Sequence, residues 1–157
     1  MKLKYNQVPV FIALLFSVLF ISCKDEWDSH YYATAANKSD STLFNYIQSR
    51  SELTTFAQML QITGYDTLLN KSQTFTVWAP KNSALADVNL SDTLAVRKIV
   101  ENHITRFLQT TSGLKNKTIL TMNKKLLSFS KLGGVKTFGG KLIEESDIAT
   151  LNGIVHI

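Results

Sequence analysis

The chain has 157 residues, 45% of them hydrophobic and 18% charged, with a formal net charge of +5. This excludes a large multidomain enzyme, a disordered tail and a polytopic membrane protein. One cysteine and two prolines exclude a disulfide scaffold, a cysteine-only zinc site and a proline-rich linker. Residues 1–22 read as a sorting segment. Lys2 and Lys4 make a basic start, and residues 10–21 form an apolar run of 12 broken only by Ser17. A membrane-spanning helix needs about 20 such residues, so the pattern predicts a removed secretory signal.

The run ends in Phe20-Ile21-Ser22-Cys23, which resembles a bacterial lipobox. The resemblance implies cleavage before Cys23 and acylation of its sulfur and amino group. More than one acyl chain holds a protein stably on a membrane. Cleavage removes Lys2 and Lys4 and no acid, so the balance falls from +5 to +3. Such mild basicity does not argue for a nucleic-acid partner. Lys24, Asp25 and Glu26 resemble the surface-export signal of Bacteroidota lipoproteins, which implies an outer-membrane anchor and exposure at the cell surface. Residues 27–40, WDSHYYATAANKSD, carry neither helical nor alternating period and read as a tether.

From residue 41 onward helices come first. Ser41 can cap a helix carrying Leu43, Phe44 and Ile47, and Ser51 one carrying Leu53, Phe56, Ala57 and Leu60. Gly64 stands where a left-handed C-terminal residue is wanted. Residues 74–80 switch to period two, with Phe75, Val77 and Ala79 on one face and Thr74, Thr76 and Trp78 on the other. Pro80 ends that strand, and Asn82 can cap a short helix. From Ser91 or Asp92 a longer helix carries Val96, Ile99, Val100, His103, Ile104 and Phe107 as one stripe. Strands are then expected at 118–122, 126–130, 135–138, 141–144 and 153–157. Asn123-Lys124, Gly133-Gly134, Gly139-Gly140 and Asn152-Gly153 are the turn dipeptides between them. Helices followed by an antiparallel meander make an α+β domain over 41–157.

Three stations in this domain resemble the fasciclin family. Residues 74–85, TFTVWAPKNSAL, look like its first box, with Ala79, Pro80 and Asn82 at the motif positions. Residues 100–104, VENHI, look like its central Tyr-His motif, with His103 in place and Asn102 where the tyrosine stands. Residues 152–157, NGIVHI, look like the start of its second box, with Asn152, Gly153 and His156. The resemblance implies a wedge of two β-sheets with helices packed beside them, and extracellular adhesion without catalysis or cofactor. It also implies a further strand after the second box. A sheet without it would present a raw edge, which another fasciclin-like domain or a partner chain would complete.

Each chemical candidate has a plainer counterpart. His103, on an apolar stripe, fits a buried neutral imidazole bonded to backbone better than a ligand contact. His30, His103 and His156 have no helical His-x-x-x-His spacing, which argues against zinc. Asp147-Ile148 sits where animal family members carry a proposed integrin contact, but a turn-forming aspartate bonded to nearby backbone amides explains it better. The Gly-Gly pairs lack the lysine and helix start of a phosphate loop. No Gly-x-Ser-x-Gly elbow exists. Asp-Ser/Thr-apolar triplets at Ser41, Thr67 and Thr93 resemble a bacterial O-glycosylation motif and also suit helix caps.

The sequence therefore predicts a lipid-anchored surface module that binds a glycan or matrix-like ligand. Trp78, on the polar face of its strand, is the expected aromatic platform. The alternative is a structural accessory subunit beside an outer-membrane nutrient-uptake complex.

Overall fold

The computed structural model describes residues 37–157. The signal segment, Cys23, the Lys24-Asp25-Glu26 cluster and most of the tether lie outside the described residues. The chain runs β1 (Asn37–Lys38), α1 (Leu43–Ser49), a 3-10 turn (Ser51–Leu53), α2 (Thr54–Thr63) and α3 (Tyr65–Leu69). Then come β2 (Phe75–Trp78), a 3-10 turn (Asn82–Leu85) and α4 (Thr93–Asn102). Strands alone follow: β3 (Ile104–Arg106), β4 (Lys117–Leu120), β5 (Leu126–Leu132), β6 (Val135–Phe138), β7 (Lys141–Leu142), β8 (Ile148–Thr150) and β9 (Gly153–His156). The fold is α+β, as expected. Residues 37 and 38, expected to belong to a tether, instead pair in parallel with β8. Among the described residues no helix is long and apolar enough to cross a membrane.

Polar side chains set the helix ends. Thr42, not Ser41, caps α1, its Oγ1 accepting from Asn45 N. Gly64, at φ +76, ends α2 in the left-handed conformation that glycine adopts without steric cost. Asp92 caps α4, its Oδ1 accepting from Ala95 N at 3.0 Å. Asn82 does not cap its own turn. Its Oδ1 accepts from Thr55 N at 2.9 Å, and its Nδ2 donates to Ser51 O at 2.9 Å. It thus secures the start of α2 from a distant part of the chain, satisfying a helix donor that would otherwise need water.

The stripe expected through Phe107 stops at Asn102. Ile104, Thr105 and Arg106 instead pair antiparallel with β2. Branched residues suit a pleated strand, and β2 offers a full ladder there. Phe107 is left 74% exposed.

Two sheets form. The five-stranded sheet has the order β1-β8-β9-β2-β3 and is mixed, with β1 parallel to β8 and β2 parallel to β9. This corrects the reading of an antiparallel meander throughout. The four-stranded sheet, β4-β5-β6-β7, is antiparallel. Both its Gly-Gly pairs close two-residue hairpins with φ positive at each position, as a type I′ turn demands. The raw edge expected at the second box is not there. β9 is flanked by β8 and β2, and Ile157 O accepts from Glu144 N at 2.7 Å.

Helices cover one face of the five-stranded sheet, over a core of residues such as Leu43, Phe56, Leu60, Phe75, Val77 and Val155. A second, smaller core of Trp78, Leu114, Ile119, Phe129 and Phe138 joins β2 to the four-stranded sheet.

Candidate functional site

The first box, the central motif and the second box lie far apart in sequence. The fold brings them to one cleft of about 340 Å³, lined among others by Trp78, Pro80, His103, Phe138, His156 and Ile157. β2 and β9 lie side by side in the sheet, with Trp78 paired opposite His156. Helix α4 ends at His103, whose carbonyl accepts from Trp78 N at 2.8 Å. The first box therefore touches both other stations through backbone.

Trp78 is the centre of an aromatic stack. Its ring lies 4.1 Å from Phe138 at 10° and 4.3 Å from His156 at 23°. It is 4% exposed, so it is not the open platform expected from its place on the polar face of the strand. The reason is that β2 is buried on both sides, by helices on one and by Phe129 and Phe138 on the other. Burial leaves the indole Nε1 with no hydrogen-bond partner among the described residues. A buried donor without a partner carries a desolvation cost.

His156 is 1% exposed and held on both nitrogens. Nε2 donates to Gln109 O at 2.8 Å, and Nδ1 accepts from Asp147 N at 3.1 Å. This fixes one neutral tautomer. Burial, above all, pushes its pKa down to about 4, against the support of the Gln109 carbonyl. Protonation would place a second hydrogen on Nδ1, facing the Asp147 N–H. His103 donates from Nδ1 to Ile99 O at 2.8 Å and meets Phe56 edge-on at 5.8 Å. Burial lowers its pKa as well.

A pH dependence follows. Between about pH 4 and 6.5 the unfolded chain carries a proton on residue 156 that the folded chain refuses. Stability is fully present above about pH 6.5 and is lost as pH falls toward 4. The His156 share of that loss is about 3 kcal/mol. His156→Gln, which keeps a donor and an acceptor, should flatten this part of the profile. Melting curves of both chains from pH 4 to 8 check it. Parallel slopes for the two would show that residue 156 does not carry the effect.

The other candidates are placed differently. Ile148 is 2% exposed in β8, packed opposite Val155, and is unavailable as a surface contact. Asp147 has φ +62, and its Oδ1 accepts from Thr111 N at 2.6 Å, a long-range partner rather than the local turn expected. Its Oδ2 is bonded by the Thr111 hydroxyl and lies 3.9 Å from Lys136 Nζ. Asn152 and Gly153 are buried and tie helices to the sheet. Ser41 lies at the start of α1; Thr67 and Thr93 lie exposed on α3 and α4. Sequence reasoning missed Phe138. Its only signal was an apolar residue beside a Gly-Gly turn.

The architecture and the converging boxes define an α+β domain of two sheets with helices packed on one of them. Residues 51–157 match the fasciclin domain family, and the chain belongs to it. Among solved structures it is similar to one described as "Novel Fold Revealed by the Structure of a FAS1 Domain Pair from the Insect Cell Adhesion Molecule Fasciclin I". The match has a TM-score of 0.60 and 16% sequence identity, and covers 74% of this chain and 49% of that one. The aligned part is about half of that domain pair. No curated protein matches the chain.

Proposed function

We propose that this chain is a lipid-anchored module of the bacterial cell surface that binds a glycan or matrix-like ligand and converts nothing. The observation that carries the binding reading is the meeting of all three family stations on one cleft. A sugar residue offers what such a cleft takes, an apolar C–H face for Phe138 and Leu142 and hydroxyls for Asn102, Lys125 and Lys141. The anchor reading rests on the apolar run that ends at Cys23, and surface export on Asp25 and Glu26. Similarity to a cell adhesion molecule supports the broader role.

The experiment uses tryptophan as reporter. Trp27 and Trp78 are the only two, so Trp27→Phe leaves Trp78 alone to emit. Titration with a panel of neutral glycans should shift its emission. Trp78→Phe, which keeps a ring and reshapes the wall of the cleft, should weaken binding measured by calorimetry roughly 3- to 10-fold. The same panel on whole cells should lose its binding when Cys23→Ser releases the chain. No glycan bound, or equal calorimetric binding by Trp78→Phe together with no shift of Trp78 emission in the Trp27→Phe chain, would overturn the reading.

The accessory-subunit reading draws on a different surface. The outer face of the four-stranded sheet carries Leu120, Leu126, Leu132, Val135 and Leu142, each more than half exposed. Register pairs Leu120 with Leu126 and Leu132 with Val135 on that face. Co-purification with an outer-membrane transporter, lost on Leu132→Glu, would favour it.

A further inference from the structure

A second groove, with no lining residue in common with the motif cleft, lies between the two sheets' edges. β3 is the edge of the five-stranded sheet and β4 the edge of the four-stranded one. Met122 N donates to Ile104 O at 2.9 Å and holds the two sides together. The groove has a volume of about 430 Å³ and is lined by Arg106, Phe107, Gln109, Lys117, Leu120 and Lys124, among others. No acidic residue lines it.

Two independent features single it out. The first is charge. Arg106, Lys117 and Lys124 are all exposed, and none has an ion pair among the described residues. Three unpaired cations in one groove repel each other and attract an anion. The second is Phe107. It is 74% exposed and has φ +66, a conformation that a bulky residue adopts only when held there. What holds it is the fully buried hydroxyl of Thr76, which donates to Phe107 O at 2.8 Å and accepts from Gln109 N at 2.9 Å. The fold thus spends a buried polar side chain to present an aromatic ring to solvent. Lys124 also has a left-handed backbone, at φ +58.

We propose that this groove binds an anionic polysaccharide. The three cations take its carboxylate or sulfate groups, and the Phe107 ring stacks on the C–H face of a sugar between them. A single aromatic suits a pyranose better than a polynucleotide, which needs platforms for successive bases. The inference stands apart from the motif cleft, because neither Trp78 nor His156 takes part.

The test uses the lipid-free chain from residue 24 onward, with polygalacturonate and dextran sulfate as probes. Neutral dextran and a 20-mer of thymidylate serve as comparisons. Binding to the two polyanions should weaken steeply with salt, and neutral dextran should not compete with them. Replacing Arg106, Lys117 and Lys124 together with Gln should weaken binding more than 10-fold and flatten the salt dependence. Phe107→Ala should weaken it about 5-fold at unchanged net charge and unchanged melting temperature. A matched triple on other exposed lysines, Lys71, Lys98 and Lys131 to Gln, should stay within 2-fold. An equal loss in that triple, no effect of Phe107→Ala, or thymidylate bound as tightly would each overturn the proposal. Trp78→Phe should bind the polyanions as the parent does, which separates failure here from failure at the motif cleft.

Discussion

A Gly153→Ala chain should lose more stability than any other single methyl could cost this domain. A Cβ built on residue 153 would sit 2.2 Å from Phe75 O and 2.6 Å from Leu43 Cδ1. Leucine can rotate, but the Phe75 carbonyl belongs to β2, which is paired on one side to β9 and on the other to β3. Backbone held in two ladders has nowhere to go. Overpacking of this kind costs upwards of about 4 kcal/mol, at the extreme of single substitutions. For a domain of this size that is a fall of roughly 15 °C or more in melting temperature. Thermal melts by circular dichroism check it, and a fall under 3 °C would mean that the sheet can open at this point.

Asn152→Ala should come next. Asn152 is buried, and its amide serves two helices at once. Oδ1 accepts from Leu43 N at 2.8 Å, at the start of α1; Nδ2 donates to Leu69 O at 2.8 Å, at the end of α3, and to Lys71 O at 2.6 Å. These are the donors and acceptors that a helix leaves unmatched at its ends. Alanine strands them under cover, at about 1–3 kcal/mol each where no water reaches, and a total near 4 kcal/mol is expected. Asn152→Asp should fall as far, because a carboxylate keeps the Leu43 bond but faces two carbonyls with no hydrogen to give. Denaturant melts of the three chains decide it. An aspartate variant as stable as the parent would show that the two donated bonds carry no weight.

These two neighbours mark where sequence reading gives out. The Asn-Gly dipeptide reads as a hairpin turn, and a turn is there, with Thr150 paired to Gly153 across it. Yet neither residue has a positive φ, the usual reason for that dipeptide. Asparagine is needed for three long-range bonds and glycine for a close approach, and local pattern encodes neither. Features decided within a few residues were legible: Gly64, Asp92, the two Gly-Gly hairpins and the period of β2. Features decided by tertiary cover were not. Period two assigned Trp78 to a polar face, and only the second sheet, packed through Phe129 and Phe138, turns that face inward. Period 3.6 carried α4 on to Phe107, and only the vacant side of β2 draws residues 104–106 into a strand. The three motif stations were legible as motifs, and their meeting place became visible only once β2 lay beside β9.

That adjacency also governs when the domain can form. β9 is the interior strand that joins β8 to β2, and it enters in parallel with Phe75 opposite Gly153. A chain still being synthesised holds β2 and α1–α4 without the strand that unites them. Such long-range closure comes late and costs loop entropy before any contact repays it. The five-stranded sheet therefore closes only once residues 153–156 are free to dock between β8 and β2.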